Sequence, residues 1–434
     1  MSRAKNLLVA LAAGLMACSG AGTPWLQAAP ALPAVPDRVF TITDFGGLGD
    51  GVATNTAAIQ AAIQAAGAKG GGTVVIPAGV FLSGPLRLED RIRLHLERGA
   101  ILRMLPLEKY PGGTVNPDDF IGGKKLKDVA ITGVGMIDGQ GAAWWPYAKV
   151  KDAVRPRLIA LSSCERVLIE NVTLTNSPKF HIAVGGPSTD VSVRRVTVRA
   201  NSSSDPVLPS HNTDACNVTA RRALIQDCDI SVGDDNFTCG GGTSDVLITN
   251  CTYGAGHGVS IGSYTRGGVS NFTVVNCTFN GTDHGIRIKS DRDRGGLLHN
   301  LRYLNLRMTN VEMPILVYGA YLATNREFRL LHKLTPPIAA RYPAAPVTIL
   351  TPMYRNIVFS NLTATAQAGR RAGLLWGLPE ASITNVLLQQ VRITADAPFG
   401  IYNARGVRFV DCEIRTPQGL NQLMVTNAQV SVAP

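Results

Sequence analysis

Three aspartates, an imidazole and two cationic side chains lie in four short polar segments in the middle of the chain. The segments are Asn212-Thr213-Asp214, Gly233-Asp234-Asp235, Gly256-His257-Gly258 and Arg287-Ile288-Lys289. Clustered carboxylates repel one another, so at least one should have a raised pKa and stay protonated near neutral pH. A protonated carboxyl is a general acid and an ionised neighbour can activate water, which is the division of roles that glycoside hydrolysis requires. The two cations would bind a substrate carboxylate.

These segments can meet only if a repeating fold stacks them, and the sequence contains such a repeat. An apolar stretch that ends in Asn or Asp and one small apolar residue recurs as LIQDCDI from Leu224, LITNCTY from Leu247 and TVVNCTF from Thr273. The aligned polar residues are 23 apart from Asp227 to Asn250 and 26 apart from Asn250 to Asn276. A short strand recurring at this interval, with Gly, Asn and Asp turns between, predicts a β-solenoid.

Stacking of the coils predicts two columns of side chains at the end of this strand. Equivalent residues of neighbouring coils would lie about 4.8 Å apart. The polar residues would form a ladder at one turn: Asn171, Asp227, Asn250, Asn276, Asn305, Asn361 and Asp411. The residue after each polar position would point inward: Val172, Val196, Cys228, Cys251, Cys277, Leu306, Leu362, Val391 and Cys412. Since Cys shares this column with Val and Leu, we expect mostly free core thiols; pairing of Cys164, Cys216 or Cys239 stays open.

The inward apolar residues also align the four polar segments with one another. These residues are Cys216, Phe237, Val259 and Ile286. Two positions earlier, one column would hold Asp214, Asp235, His257 and His284. Asp234 is adjacent to this column, and Arg287 and Lys289 have the opposite parity to Ile286, so they should point outward. The segments would form one patch about 15 Å tall.

Two regions interrupt the repeat. Residues 56–67 place Ala57, Ile59, Ala62, Ile63 and Ala66 at helical spacing, which predicts a short helix that caps the N-terminal end of the solenoid. Residues 313–352 are interpreted as an insertion, because Asn305 and Asn361 are 56 apart, about two coils. We expect it to form a long loop beside the cleft.

The first residues are typical of an export signal. Arg3 and Lys5 precede the apolar stretch LLVALAAGLMA from Leu7, which is too short to span a bilayer as a mature helix. We interpret residues 1–28 as a signal peptide, 29–37 as an extended linker and 38–434 as one catalytic domain. Cleavage before Cys18 is the alternative, and it would put a lipid on that residue. The protein is therefore expected to be secreted or periplasmic, or else an outer-membrane lipoprotein, with no membrane span.

The net charge of +11 favours a polyanionic partner: a nucleic acid, an anionic lipid or an acidic polysaccharide. The basic residues are scattered and no nucleic-acid motif is visible, so we expect no nucleic-acid partner. The sequence gives no sign of oligomerisation, and we expect a monomer. Protons and water suffice for the chemistry, so we expect no cofactor and no metal.

Together, the four segments resemble the glycoside hydrolases of family 28, the pectin-degrading enzymes typified by polygalacturonases. That family shows N-T-D, G-D-D, G-H-G and R-I-K in this order. The likeness spans residues 38–425 and continues in Asn176-Ser177-Pro178 with His181, in the run that ends at Ser263, in Ile137 to Gly141 and in DFGGLGDG from Asp44. It implies a single-domain, all-β, right-handed parallel β-helix and hydrolysis with inversion at the anomeric carbon.

The resemblance also implies roles for individual residues. Asp234 would be the general acid, Asp214 and Asp235 would hold and activate the attacking water, and His257 would support the acid.

The same resemblance predicts a substrate-binding set. Arg287 and Lys289 would bind the galacturonate carboxylate next to the scissile bond, with Asn212 and Tyr321 as further substrate-binding candidates. Asn236 departs from the family pattern, because many members have a disulfide-bonded Cys there.

Other activities on the same or a similar scaffold stay open. They are rhamnogalacturonan hydrolysis, calcium-dependent pectate lysis with an arginine base, and non-catalytic pectin binding. Arg287 and Lys289 favour galacturonate over rhamnose beside the cleaved bond. Since the 313–352 insertion could close one end of the cleft, we expect exo rather than endo attack.

Overall fold

The computed structural model describes residues 29–324 and 326–434 and is a right-handed parallel β-helix, as predicted. Each coil contributes in turn to three parallel sheets, here named A, B and C, and equivalent strands of neighbouring coils pair in register. The predicted signal peptide and Cys18 lie outside the described residues. Within the described part of the chain, none of the helices has the length and apolar character needed to cross a bilayer.

Sheet A carries the polar segments. Its strands are Leu86–Arg87, Ile121–Lys124, Ile159–Ser162, Phe237–Cys239, Val259–Ile261, His284–Lys289, Met313–Tyr318 and Leu374–Trp376, with the first parts of Ile182–Arg194, Cys216–Gln226, Phe399–Val410 and Leu423–Ala433.

Sheet B follows sheet A along each coil. Its strands are Val39–Thr41, Gly72–Ile76, Ile92–Leu96, Lys127–Gly133, Glu165–Glu170, Thr243–Thr249 and Val269–Val275, with the second parts of the four long strands above and the first parts of Leu297–Val311, Met353–Ala366 and Ile383–Thr394.

Sheet C completes the coil. Its strands are Asp50–Thr54, Gly79–Ser83, Ala100–Met104, Met136–Asp138, Thr173–Thr175, Thr197–Arg199, Asp229–Ser231, Thr252–Tyr253, Thr278–Asn280 and Glu413–Thr416, with the second parts of Leu297–Val311, Met353–Ala366 and Ile383–Thr394. The short strand Gly419–Leu420 pairs antiparallel with Glu413–Thr416.

The core lies between the three sheets and follows the predicted inward column. All nine residues of that column are buried, including Cys251 and Cys277 at 1% exposure each. The seven cysteines among the described residues are free and buried. This outcome confirms the expected thiol column and leaves Cys164, Cys216 and Cys239 unpaired as well.

The predicted polar ladder lies between sheets B and C and is confirmed. Asn250 donates from Nδ2 to Asp227 Oδ1 at 3.2 Å, and Asn361 donates in the same way to Asn305 at 3.0 Å. Its members have left-handed backbone conformations, for example φ 53° at Asn305, which Asn and Asp adopt more readily than other non-glycine residues. Each Asn or Asp of the ladder therefore allows the left-handed turn and also bonds its side chain to the neighbouring coil.

A second ladder at the start of sheet B was not predicted from the sequence. Neighbouring coils are joined by side-chain hydrogen bonds of 2.8 to 3.2 Å through Asp245, Asn271, Asn300, Asn356 and Asn385. In the earlier coils the same column pairs opposite charges, in Arg166–Asp128 and Arg222–Asp190.

The segment predicted as an extended linker, residues 29–37, lies against this charged ladder. The Ala31 amide donates to Asp190 at 3.1 Å, and the Ala34 amide donates to Asp128 at 2.9 Å. The hydrogen bond from Arg166 lowers the pKa of Asp128, although burial opposes the effect.

The capping helix is confirmed as Thr56–Ala68, hereafter α1. It buries Ile59, Ala62, Ile63 and Ala66 over the N-terminal end of the core. Ala57 was expected on the same face, but it is exposed, because it lies nearer the solvent side of the first turn.

The insertion begins later than predicted. Met313–Tyr318 is a fully buried strand that pairs with His284–Lys289, so the excursion from the coil comprises residues 319–352. It contains two short helices, Arg326–Arg329 (α2) and Pro336–Ala340 (α3). Asn305 and Asn361 belong to adjacent coils rather than to coils two apart, because the extra length leaves the solenoid at a turn.

We predict that Asn305→Ala lowers the free energy of unfolding by about 2 kcal/mol, since it removes two ladder hydrogen bonds and strains a left-handed residue. Asn305→Gly is the matched control, because glycine accepts the backbone but not the hydrogen bonds. It should cost less than Asn305→Ala in urea unfolding. Equal losses would mean that the backbone conformation contributes nothing.

Candidate active site

The register of sheet A brings the four polar segments together as predicted. Cys216 pairs with Phe237, Phe237 with Val259, and Val259 with Ile286. The column two residues earlier therefore holds Asp214, Asp235, His257 and His284. Each of these residues enters its strand from the turn after sheet C, and their common position follows from the strand pairing alone.

Asp235 is held by three donors. Ser260 Oγ donates to Asp235 Oδ1 at 2.6 Å, Lys289 Nζ donates to Oδ2 at 3.2 Å, and Arg287 Nη2 also donates to Oδ1. Burial would raise the pKa of this carboxyl, but Arg287 and Lys289 lower it well below its usual range. Asp235 is thus a buried, ionised carboxylate with fixed orientation.

Asp214 has the opposite protonation tendency. It is buried at 6% exposure, and its backbone carbonyl accepts from the His181 amide at 2.8 Å. Burial, together with the charges of Asp234 and Asp235, raises the pKa of Asp214 well above its usual range. The expectation that one carboxyl of the cluster keeps a raised pKa is met at this residue.

Asp234 and His257 form a hydrogen-bonded pair at the more open side of the cluster. His257 Nδ1 lies 3.2 Å from Asp234 Oδ1, and Nε2 lies 3.1 Å from Asp283 Oδ2. Burial and Arg287 favour a neutral imidazole, but the bonds to Asp234 and Asp283 raise the pKa of His257 to about 9. Arg287 Nη2 is also 3.1 Å from Nδ1, and because the ring is protonated, Nδ1 donates to Asp234 instead of accepting from arginine.

The same hydrogen bond affects Asp234. Burial raises its pKa, yet the bond from His257 outweighs that effect and lowers the pKa of Asp234 below its usual value. In the protein without substrate, the opposite pKa shifts therefore favour a proton on Asp214 over a proton on Asp234.

Asn212 lies beside the cluster and is oriented from the opposite side. Its Nδ2 donates to Asp234 Oδ2 at 3.3 Å, while its Oδ1 accepts from Arg155 Nη2 at 2.9 Å. Arg155 also donates to the carbonyls of Pro178 and His211. The buried arginine thus fixes the amide that contacts Asp234.

Tyr321 is brought to the other edge of the site. Its ring centroid lies 5.4 Å from Lys289 Nζ, and its amide donates to the Ser290 carbonyl at 3.0 Å. The ring is the first part of the 319–352 insertion to reach the cations, and 36% of the residue is exposed.

Three contributors were missed in the sequence, and two of them had a visible pattern. Asp283 lies three residues before Ile286, as Asp234 lies three before Phe237, and Ser260 has the outward parity of Arg287. Arg155 had no visible sequence pattern, because it precedes its strand in a segment outside the repeat.

Ligand atoms of Asp234, Asp235 and His257 lie within 4.8 Å of one another, a spacing that would suit a metal ion. Arg287 and Lys289 already bind Asp235, and His257 contacts Asp234 and Asp283. Two cationic side chains this close would repel a metal ion, so the cluster suits acid–base chemistry better than cation binding.

The sequence profile described as "Glycosyl hydrolases family 28" matches residues 69–329. The chain belongs to this family, and it is a glycoside hydrolase. Residues 39–95 also match the profile "Rhamnogalacturonase A/epimerase, pectate lyase-like".

Relatives with both kinds of attack are similar to the chain. It is 34% identical over 301 residues to an endo-polygalacturonase of Pectobacterium carotovorum subsp. carotovorum, covering 62% of this chain and 72% of the relative. It is 29% identical over 354 residues to an exopolygalacturonase of Zea mays, covering 78% and 80%. The solved polygalacturonase of Erwinia carotovora ssp. carotovora is similar with TM-score 0.69 and 27% identity, over 88% of this chain and 99% of that one.

Removal of the charge of Asp214 should stabilise this family 28 protein. Asp214→Asn keeps the shape of the side chain but removes a buried group that the fold disfavours when ionised. We predict a higher free energy of unfolding at pH 7, with loss of activity. The gain should shrink as pH falls towards 4, where the unfolded carboxyl also protonates. Destabilisation at pH 7 would contradict the assignment.

His257 should make stability depend on pH in the alkaline range. Since folding raises its pKa from 6.5 to about 9, its stabilising contribution is complete below pH 6.5 and is lost as pH rises through 9. Unfolding free energies of the wild type and of His257→Gln should therefore converge between these values. A difference that stays constant from pH 6 to pH 10 would contradict this.

Proposed function

We propose that this glycoside hydrolase cleaves α-1,4-linked galacturonate chains of pectin, with inversion at the anomeric carbon. The observation that carries the proposal is the position of two cations, Arg287 and Lys289, against the carboxylates in one column of sheet A. A neutral sugar would not need them, whereas a galacturonate carboxylate suits an arginine–lysine pair.

Asp214 and Asp235 hold the attacking water, and Asp235 activates it. Asp235 is ionised and oriented by Ser260, Arg287 and Lys289, so one of its oxygens can accept a proton from water.

Asp234 is the general acid, and it must gain a proton before the leaving oxygen can take one. Bound galacturonate would place a negative charge beside Arg287, one of the groups that lower the pKa of Asp234. The bound sugar would also displace water from the Asp234 carboxyl. Both changes raise the pKa of Asp234, and His257, which donates to it at 3.2 Å, can deliver the proton.

Exo attack is supported by the covered end of sheet A. The row of Arg287 continues through Leu316 to Leu374, and the row of Lys289 continues through Tyr318 to Trp376. These side chains point outward, yet all four are at most 7% exposed.

The cover is supplied by the insertion. Tyr342 packs edge-on against Trp376 with centroids 5.2 Å apart, and Phe328 lies 6.2 Å from the same ring. A polymer therefore has no open path past Lys289 on this side, which suits attack at a chain end.

A lyase mechanism is less well supported. It requires an arginine base with a lowered pKa, but the charge of Asp235 outweighs burial and raises the pKa of Arg287.

The first test is incubation of purified protein with polygalacturonate in EDTA. We expect new reducing ends without ultraviolet-absorbing unsaturated products, release of monogalacturonate from the start, and inversion by NMR of the first product. An early spread of oligomers would replace exo with endo attack. A calcium-dependent ultraviolet signal would overturn the hydrolase.

Matched variants separate the two carboxyl roles. Asp234→Asn should lower hydrolysis of polygalacturonate by about 10³-fold, yet retain most activity on an aryl galacturonide whose leaving group needs no protonation. Asp214→Asn should lose activity on both substrates. The reverse pattern would make Asp214 the acid, as the pKa values without substrate would suggest.

A further inference from the structure

Residues 29–37 carry a proline at every third position and lie along the turn between sheets A and B. The prolines are Pro30, Pro33 and Pro36. Proline fixes its own φ at about −65° and disfavours the helical region for the residue before it. This spacing therefore favours a polyproline II helix, which has three residues per turn. None of the chemistry proposed above uses this segment.

The burial of the segment follows its prolines. The three prolines are half-buried, whereas Ala31, Leu32 and Ala34 between them are exposed; Val35 is half-buried as well. A Cβ at Gly71 would lie 3.0 Å from Cδ of the last proline, so that ring packs closely on the backbone of the solenoid. The row that faces the protein thus consists of residues without a backbone N–H, and no donor is left without an acceptor there.

The charged ladder at the start of sheet B offers the same acceptor twice. Asp128 and Asp190 are each bound at both oxygens by an arginine of the next coil. The Ala34 amide donates to Asp128 Oδ1 at 2.9 Å, and the Ala31 amide donates to Asp190 Oδ1 at 3.1 Å. The hydrogen bonds from the arginines lower the pKa of both carboxyl groups, although burial opposes the effect. The two acceptors are therefore equivalent in geometry and in charge.

The spacing of these acceptors matches a three-residue repeat of the segment. Strand pairing places Arg166 between Asp128 and Asp190, so the carboxylates are two coils or about 9.6 Å apart. Three residues of a polyproline II helix span about 9.3 Å and return to the same face. In a β-strand, residues three apart point to opposite faces, so the Ala31 and Ala34 amides could not both reach one ladder.

The later coils of the same ladder provide weaker acceptors. There Asn271, Asn300, Asn356 and Asn385 bond to one another through their side-chain amides. A carboxylate has about four acceptor positions, and a bidentate arginine leaves some of them for a further donor. Hydrogen bonds to an ionised acceptor are about twice as strong as bonds between neutral groups. The Asp–Arg coils are therefore the part of the ladder that suits a backbone amide from another segment.

We propose that the charged ladder is a binding site for proline-repeat peptides, and that residues 29–37 are its ligand from the same chain. The site recognises proline at every third position, each followed by a residue that supplies an amide N–H. Because proline orders the peptide beforehand, docking loses little conformational entropy. Two amide hydrogen bonds and proline packing hold the segment, so it detaches and rebinds while the solenoid stays folded.

Amide exchange in the intact chain tests the mode of docking. The Ala31 and Ala34 amides should exchange at least about tenfold more slowly than in the free peptide of residues 29–37, because each donates to a carboxylate. The Leu32 and Val35 amides have no acceptor among the described residues and should exchange as in the free peptide. Equal protection of all four amides, or of none, would overturn docking by a three-residue repeat.

A vacated site tests recognition of the ligand. Ala31→Pro combined with Ala34→Pro removes both donors but keeps the polyproline conformation, so it should release the segment in an otherwise unchanged chain. By fluorescence anisotropy, a labelled peptide of residues 29–37 should bind this variant at least about tenfold more tightly than it binds the wild type, whose site is occupied. The same peptide with both added prolines should bind the variant at least about tenfold more weakly. No binding to the variant, or equal binding of the two peptides, would overturn the site.

The acceptor is tested in the same vacated chain. Asp190→Asn should weaken peptide binding about tenfold, since it removes the ionised acceptor. The matched control is Asp227→Asn, which removes a carboxylate from the other ladder and should leave the Kd unchanged. Equal Kd values for the two variants would overturn the role of the carboxylate, and the peptide with added prolines gives the parallel test without a change to the solenoid. Hydrolysis of polygalacturonate should be unaffected throughout, so failure of this inference is separate from failure of the proposed function.

Discussion

The closure of each coil's inner face by the next coil is the constraint on which the other features depend. A coil exposes its apolar residues unless its neighbour repeats the same parity in register. The same register holds outward residues of successive coils about 4.8 Å apart in rows. Asp214 and Asp235 are therefore neighbours because Cys216 pairs with Phe237. The acid cluster is a consequence of core packing, which is why it can be rigid and buried at once.

Such rows place carboxylates close to one another. In the site, cationic side chains from neighbouring coils of the same sheet lie beside them and offset their repulsion. Arg287 and Lys289 contact Asp235, and His257 lies between Asp234 and Asp283. Arg287 is also one of the groups that lower the pKa of Asp234. Under the proposed function, a galacturonate carboxylate beside Arg287 would offset part of that effect, so substrate binding and protonation of Asp234 would share one electrostatic cause.

Repetition also explains how much the sequence revealed. The inward column, the first ladder, the capping helix and the column of the site all follow from parity and spacing, and parity would have given Asp283 and Ser260 too. Arg155 and the contact between residues 29–37 and the charged ladder depend on pairings between segments outside the repeat, for which one sequence carries no local pattern. The insertion's start was misplaced because Met313–Tyr318 is apolar throughout and lacks the polar residue that marked other coils.

The solenoid accommodates an insertion as long as the chain leaves and re-enters it at the same turn between two sheets. After residues 319–352, sheet B resumes with Leu301 beside Ile357, and the ladder bond between Asn361 and Asn305 is intact at 3.0 Å. The insertion therefore costs the core nothing in register, while its Phe328 and Tyr342 cover outward apolar side chains. Those side chains would be costly if left in water, so the closed end of the cleft and the apolar rows beneath it depend on each other. The candidate catalytic residues and the cover of sheet A therefore come from separate parts of one coil: the strand start supplies the carboxylates and cations, and the turn supplies the insertion that covers the sheet.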